Sequence, residues 1–221
     1  MSLSGAERSI MVRLRGLARA PSAAAARSEL ARLAPRADAR ELEDLEATCD
    51  SFLKRATANG FSAEVVPGRA DAVQAVAAYI SARQNHRRFV AGHDARLAAM
   101  PWRDAGLLPR FGVATAEDLI SVSYARCAIA ETGSVVLWTD RDNPALNNLL
   151  CDAQIVLVNA GDLRRSLNEL WEELSFAAAA GRPRGIMMVS GPSSTADIGM
   201  QLVLGAHGPR AVHLVMLKGR A

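Results

Sequence analysis

The chain has few aromatic residues, three cysteines, and only two lysines among its 26 basic residues. Because aromatics make up 5% of 221 residues, aliphatic side chains must fill the core. The cysteines, Cys49, Cys127 and Cys151, lie far apart and form no CxxC pair. Such sparse cysteines exclude a disulfide framework and an iron–sulfur cluster, which needs about four grouped cysteines. We therefore expect a reducing, cytoplasmic location and no cofactor in this chain.

Long apolar runs and an N-terminal signal pattern are also absent. No run approaches the roughly 20 apolar residues that a membrane span needs, and the start lacks the charged-then-apolar order of a signal peptide. The net charge is +3, and the arginines are mixed with acidic residues. Nucleic-acid binders concentrate basic residues on one face, with aromatics nearby. These absences predict a soluble protein with neither a membrane nor a nucleic-acid partner.

Residues 1–59 predict an N-terminal helical arm. Eight arginines precede residue 41, against three acidic residues, and residues 40–58 place apolar side chains on one helical face. Asn59 and Gly60 then stop the helix, since both tolerate a left-handed backbone. Two interpretations stay open: a solvated arm, or an arm that docks on a partner or on a second copy of the chain in a homodimer.

Residues 60–221 predict an α/β domain, because short β-rich runs alternate with helical ones. Strands separated by helices favour a Rossmann-like, mostly parallel sheet with helices on both faces. The predicted strands are 61–66, 88–91, 110–113, 128–130, 134–138, 154–158, 185–189 and 211–217. The predicted helices are 70–84, 94–100, one that starts near Thr115, 162–180, and a helical turn between 191 and 207.

The first polar loop lies between two predicted strands and supplies a candidate catalytic residue, Glu131, and three ligand-binding candidates, Thr132, Gly133 and Ser134. Gly133 allows a sharp turn or a close approach to a ligand. A carboxylate between two apolar segments is expected to be part-buried, which suits a general acid or base, a nucleophile or a ligand anchor. The alternative is a glutamate that only caps backbone amides in a tight turn.

The second polar loop runs from Ser190 to Pro209. Hydroxyls that precede a helical start could bind an anion together with the helix amides, although plain N-capping would also explain them. The loop supplies a candidate catalytic residue, His207, and ligand-binding candidates: Gly191, Ser193, Ser194, Thr195, Asp197 and Gly208.

Several catalytic and binding motifs are missing. The chain lacks the GK[ST] element of a Walker A loop and the GxGxxG turn of a dinucleotide site. It also lacks a GxSxG elbow, which argues against a hydrolase triad of Ser194, Asp197 and His207. The four histidines lack metal-ligand spacing, so we expect no metal site.

Taken together, the two loops resemble the lactate-utilisation protein C family, which carries the lactate-utilisation (LUD) domain. The resemblance covers roughly residues 60–218. It rests on residues 128–137 (AIAETGSVVL), 190–198 (SGPSSTADI) and 203–209 (VLGAHGP). Two departures are visible. Ser134 stands where the family often has Thr, and the Cys151–Gln154 segment stands where a Pro-x-His-Ile segment is common.

The resemblance implies a fold like that of the sugar-phosphate isomerase, CoA-transferase and formyltetrahydrofolate cyclo-ligase group. It also implies a complex that oxidises L-lactate to pyruvate, in which partner subunits carry the iron–sulfur clusters. This chain would be a non-cluster subunit, with a small-anion pocket near Glu131 and the second loop. Two alternatives stay open: a stand-alone ligase, isomerase or CoA-transferase-like enzyme, and a regulatory or interaction module.

Overall fold

The computed structural model describes residues 45–84, 86–176, 183–196 and 202–219. The helices are α1 (Leu45–Ala58), α2 (Arg69–Ser81), α3 (Ala95–Ala98) and α4 (Leu167–Phe176). The strands are β1 (Ser62–Val66), β2 (Arg88–Ala91), β3 (Leu108–Phe111), β4 (Ile120–Tyr124), β5 (Cys127–Ile129), β6 (Ser134–Thr139), β7 (Ala153–Asn159), β8 (Leu163–Arg164), β9 (Gly185–Val189), β10 (Ser194–Ala196), β11 (Leu202–Leu204) and β12 (Ala211–Leu217).

The centre of the described chain is a parallel sheet of six strands in the order β1-β12-β7-β4-β2-β3. In its register, Ile155 of β7 lies between Val122 of β4 and His213 of β12. Strands β4 and β7 are buried along their whole length. The sequence of a parallel strand that is covered on both faces is a continuous run of apolar residues, and residues 155–158 of β7 form such a run.

The two faces of this sheet pack against different elements, because successive side chains of a strand point to opposite sides. Ile155 and Leu157 pack in the cluster that contains the buried side of α2. Val156 and Val158 pack in a second cluster with Phe52 of α1. The prediction of an α/β fold with a mostly parallel sheet and helices on both faces is confirmed.

A second sheet, with the order β8-β5-β6-β9, covers the same face as α1. Its inner side chains, such as Val135 and Leu137, belong to the cluster that contains Val156. Its other side packs Ile129 and Val136 against Leu170 of α4. The described chain is therefore layered as α2, parallel sheet, α1 with the second sheet, and α4. The sequence did not predict this second sheet as a separate layer.

Three local predictions are wrong. The segment after Thr115 forms a turn rather than a helix, because the Asp118 carboxylate accepts hydrogen bonds from the amide and hydroxyl of Thr115. Strand β4, which follows directly, was not predicted. In the segment after residue 191, residues 194–196 and 202–204 form the antiparallel pair β10–β11 rather than a helical turn, and residues 197–201 lie outside the described ranges. Finally, the start of the predicted helix 162–180 is strand β8, and residues 177–182 lie outside the described ranges.

Helix α1 packs on the α/β core although the sequence assigned it to the N-terminal arm. Phe52 and Ala56 are fully buried, and the helix belongs to the unit formed by Leu42–Ala221. The division into an arm of residues 1–59 and a domain of residues 60–221 stays a prediction, since residues 1–44 lie outside the described part.

Candidate functional site

The first polar loop is a tight turn that joins β5 to β6 and lies on the C-terminal end of α1. Gly133 has a φ of 68°, and a Cβ atom there would come within 2.6 Å of the backbone nitrogen of Ala56. The Nδ2 group of Asn59 donates a hydrogen bond of 2.8 Å to the carbonyl of Thr132. Glycine is therefore required for this approach of turn to helix.

The side chain of Glu131 is exposed, so the expectation of a part-buried carboxylate is wrong. The turn lies at the surface, and Oε2 accepts a hydrogen bond of 3.2 Å from the backbone amide of Leu167 at the start of α4. This geometry matches the alternative, a glutamate that caps backbone amides. The neighbouring Thr132 hydroxyl is buried and has no hydrogen-bond partner among the described residues.

The two polar loops lie side by side because β6 and β9 are antiparallel neighbours. The hydroxyls of Ser134 and Ser190 are 2.6 Å apart. Gly191 has a φ of 128°, and a Cβ atom there would lie 2.1 Å from the carbonyl oxygen of Asn59. Both loops thus meet at the end of α1, and glycines allow both approaches.

The second loop is closed by contacts to Ser193. Its amide donates to the carbonyl of Pro209, its carbonyl accepts from the amide of Gly205, and its hydroxyl accepts from the amide of His207 at 3.3 Å. A Cβ atom on Gly208 would lie 3.4 Å from the Cβ of Ser193. Ser193 therefore holds the base of the hairpin together.

The described part of the second loop holds no helix start. Ser194 and Thr195 lie in β10, opposite Leu204 and Val203, so their amides belong to a strand rather than to a helix N-terminus. Asp197 lies outside the described residues. His207 is exposed, and no hydrogen bond within the described ranges joins it to Glu131. The roles of Glu131 and His207 in catalysis stay predictions.

Sequence reasoning missed a polar crevice of about 300 Å³ at the carboxyl ends of β2 and β4. These strands are parallel neighbours. Small-molecule ligands of parallel α/β sheets bind at such strand ends, and the volume lies at the lower limit of ligand pockets. Its lining includes His93, Arg96, Tyr124, Arg126, Trp138 and Asp142.

Two buried hydrogen-bonding groups in this lining have no partner within the described part of the chain: the Tyr124 hydroxyl and Nε1 of Trp138. Tyr124 is only 3% exposed. Burial raises the pKa of the Tyr124 hydroxyl, and the nearby Arg96 lowers it in part. The hydroxyl therefore stays protonated and can donate at neutral pH. Unpaired buried polar groups are costly, and each of these two atoms has less than 1 Å² of exposed surface, so neither can be reached from the crevice without a movement of its wall.

The walls of the crevice are fixed by ion pairs and ring contacts. The guanidinium of Arg96 pairs with Asp94 at 2.7 Å and lies 4.1 Å from the ring centre of Tyr124. Arg126 pairs with Glu173 and lies 4.7 Å from the ring centre of Trp138. Each arginine thus places positive charge over one aromatic wall.

Gly92, directly after β2, lets the turn that follows β6 close one side of the crevice. A Cβ atom on Gly92 would lie 2.2 Å from the carbonyl oxygen of Asp142. Oδ1 of Asp140 accepts hydrogen bonds of 2.8 Å from the amides of Asp142 and Asn143 and so fixes this turn. The crevice is formed by residues from separate strands that become neighbours only in the sheet, so no local sequence motif predicts it.

Gln154, in the segment that stands where the family commonly has Pro-x-His-Ile, is buried inside the sheet. Its Nε2 donates to Oδ1 of Asn148 at 2.8 Å, and the hydroxyl of Ser123 donates to the same oxygen at 2.7 Å. Gln154 therefore joins β7 to β4 through a buried polar network, and it does not line the crevice.

A larger cavity, of about 380 Å³, lies beside α1 at the carboxyl ends of β1, β7 and β12. Its apolar lining comes from Leu53, Val65, Ala160 and Met216. Its charged lining comes from Lys218, Glu46 and Asp50. Among the described residues, none of its lining groups is a buried polar atom without a partner. The crevice, by contrast, combines charged and aromatic side chains in its lining.

The fold and the crevice define the class as an α/β protein built on a parallel sheet, with a ligand-sized opening at the carboxyl edge. Residues 116–217 match the family model of the LUD domain, and the resemblance to lactate-utilisation proteins is confirmed. The described helices include none that is long and apolar enough to cross a membrane. No group of three or more metal-ligating side chains occurs in the same ranges.

Relatives and a solved structure agree with this assignment. The chain is 36% identical to lactate utilization protein C of Halalkalibacterium halodurans over 100 residues, which is 44% of each chain. It is 35% identical to the uncharacterized protein YkgG of Escherichia coli, over 44% of this chain and 43% of YkgG. The matched region thus spans less than half the length of these relatives. A crystal structure of a DUF162 family protein from Deinococcus radiodurans superposes with a TM-score of 0.58 and 18% identity, covering 80% of this chain and 99% of that one, and shows the same fold.

Proposed function

We propose that this protein takes part in lactate utilisation as the subunit without iron–sulfur clusters in a complex that oxidises L-lactate to pyruvate. The observation that carries the proposal is the LUD domain match over residues 116–217. The relatives named lactate utilization protein C support it. The partners would be iron–sulfur proteins.

The cysteines support the proposal that the partners, rather than this chain, hold the iron–sulfur clusters. Cys127 and Cys151 are buried in different core clusters, and burial raises the pKa of each thiol to about 11. Neither offers a thiolate at neutral pH, and thiolates are the ligands of iron–sulfur clusters. Oxidation of lactate releases two electrons and two protons, and in this proposal the partners accept the electrons.

Growth of the host organism tests the proposal. Deletion of the protein should abolish growth on L-lactate as the sole carbon source and leave growth on pyruvate unchanged, because pyruvate enters metabolism after the proposed step. Expression of the wild-type chain should restore growth. Normal growth of the deletion strain on L-lactate would contradict the proposal.

Purification from lactate-grown cells separates the proposal from its alternatives. A tagged chain should recover proteins that carry iron and acid-labile sulfide, and lactate-dependent reduction of a dye should require them. A chain that turns over a substrate alone would support a stand-alone enzyme. A chain that binds partners but no small molecule would support an interaction module.

A further inference from the structure

We propose that Ser62 is an activated nucleophile that accepts acyl groups from small carboxylic esters. In this serine trio, His213 is the general base and Glu64 is the residue that positions the histidine. None of the three belongs to the two polar loops or lines the crevice. The inference is independent of the proposed function, because it rests on the contacts within the trio.

The register of the parallel sheet brings the trio together. Strand β1 lies at an edge of the sheet, and Ser62 is opposite His213 of the neighbouring strand β12. Ser62 and Glu64 are two residues apart, so their side chains point to the same face of the sheet. His213 alternates in step with Val215 and Leu217, which pack in the cluster on the α2 side. The ring of His213 therefore lies on that face, between a hydroxyl and a carboxylate.

The hydrogen bonds of the trio determine which way a proton can move. Oγ of Ser62 is 2.8 Å from Nδ1 of His213, and Nε2 of the same ring is 3.0 Å from Oε1 of Glu64. An ionised carboxylate can only accept a hydrogen bond, so Nε2 carries the ring proton and Nδ1 keeps a lone pair. Nδ1 can therefore take the proton of the Ser62 hydroxyl.

This arrangement is that of a catalytic triad. A nucleophile is hydrogen-bonded to a base, and the base is oriented by a third group. Geometry and roles define such a site, and sequence position does not, so the missing GxSxG elbow does not exclude it. The trio also differs from the combination of Ser194, Asp197 and His207 against which the sequence argues.

The burial of each residue suits its role. Ser62 is exposed and accessible to a substrate, whereas the side chain of His213 is 9% exposed. Tyr79 of α2 stacks on the imidazole with 4.2 Å between ring centres, which holds the plane of the ring. Burial lowers the pKa of His213, Glu64 offsets this in part, and Arg83 of α2 lowers the pKa further. The ring is therefore a neutral base at neutral pH.

The reaction is an acyl transfer in two steps. Oγ of Ser62 attacks the carbonyl carbon of the ester, and the hydroxyl proton passes to Nδ1 of His213. The bond between that carbon and the alcohol oxygen breaks, and the alcohol leaves with the proton. Water then attacks the acyl-serine with help from the same base, which releases the carboxylic acid and restores Ser62. No electrons are exchanged with another molecule.

Covalent labelling of the full-length chain with diisopropyl fluorophosphate, followed by mass spectrometry, tests the nucleophile. The bond from Oγ to phosphorus forms as fluoride leaves, and the hydroxyl proton again passes to His213. We expect one label on the peptide that contains Ser62, and none at that peptide in Ser62→Ala. The matched control is Ser81→Ala, because Ser81 is an exposed serine on α2, and it should be labelled like the wild type. Absence of label on the folded chain, or equal labelling of Ser62 and Ser81, would overturn the proposal.

Hydrolysis of p-nitrophenyl acetate tests the two other members of the trio. His213→Gln should lower the rate about hundredfold or more, since general-base catalysis contributes that much. The wild-type rate should fall as the pH drops below about 6.5, because the pKa of His213 lies below that value and its protonation removes the base. Circular dichroism checks that each variant is folded, and a wild-type rate in Ser62→Ala would overturn the proposal.

The pH profile separates positioning by Glu64 from a role in stability alone. The carboxylate of Glu64 raises the pKa of His213, so Glu64→Gln should move the midpoint of the pH profile to lower pH and also slow hydrolysis at pH 7.5. Loss of a merely structural contact would leave the midpoint where it is in the wild type. An unchanged midpoint in the folded variant would overturn the role of Glu64.

Discussion

At the residue scale, Gly133 shows how one position of the recognised motif works. Its φ of 68° and its approach to the backbone of α1 both require the absence of a side chain. The sequence indicated that a sharp turn or a close approach was needed. It did not show that the neighbour is the backbone of Ala56, 77 positions earlier by residue number, because such contacts depend on the assembled layers.

Replacement of Gly133 by alanine should lower the free energy of unfolding by about 2 kcal/mol or more, from the left-handed backbone and the contact with α1. Urea unfolding followed by circular dichroism measures the change. The matched control is Gly68→Ala, where φ is −159° and the nearest atom to a new Cβ is 3.9 Å away. Equal effects of the two substitutions would contradict this account.

His213 makes stability depend on pH. The ring stacks on Tyr79 at 4.2 Å, and its nitrogens contact Ser62 at 2.8 Å and Glu64 at 3.0 Å. Burial lowers the pKa of His213 below its ordinary value of 6.5, and the hydrogen bond to Glu64 offsets this in part. The unfolded chain therefore binds the proton more tightly, and stability falls as the pH drops below about 6.5.

The variant His213→Gln should show a flatter dependence of unfolding free energy on pH between about 7 and 5.5, since glutamine does not titrate in this window. Urea unfolding at several pH values measures both slopes. A wild-type protein whose stability rises on acidification through this window would show that the sign is wrong.

At the element scale, strands were more predictable than the segments between them. Strands β2, β9 and β12 have the bounds that the apolar pattern indicated. The segment after Thr115 and the hairpin β10–β11 were assigned wrongly because Ser, Thr and Asp favour both helix caps and turns. In the first case the carboxylate of Asp118 closes a turn onto Thr115, and in the second the ladder to β11 determines the structure.

Helix α1 gives a testable prediction at this scale. Phe52 is fully buried against the second face of the sheet, so Phe52→Ala should reduce stability by about 3–5 kcal/mol. The exposed neighbour Lys54 provides the control, and Lys54→Ala should change stability by less than about 0.5 kcal/mol. Thermal or urea unfolding measures both. A small effect at Phe52 would mean that α1 is not part of the α/β core.

At the scale of the whole molecule, the sequence predicted the class of fold but not the crevice. Alternation of strands and helices predicts a parallel sheet. The crevice exists because β4, which was not predicted, lies next to β2 and brings Tyr124 close to Arg96. The sequence shows Arg96 and Tyr124 only as single residues near separate apolar runs. Their contact can be predicted only when the order of the strands is known.

The proposed place of this chain in lactate utilisation is the central claim, and lactate-dependent reduction of a dye by the complex purified from lactate-grown cells tests it most directly. The account predicts that the reduction requires both this chain and its iron–sulfur partners and is lost when either is left out. Unchanged reduction by the partners without this chain would contradict it.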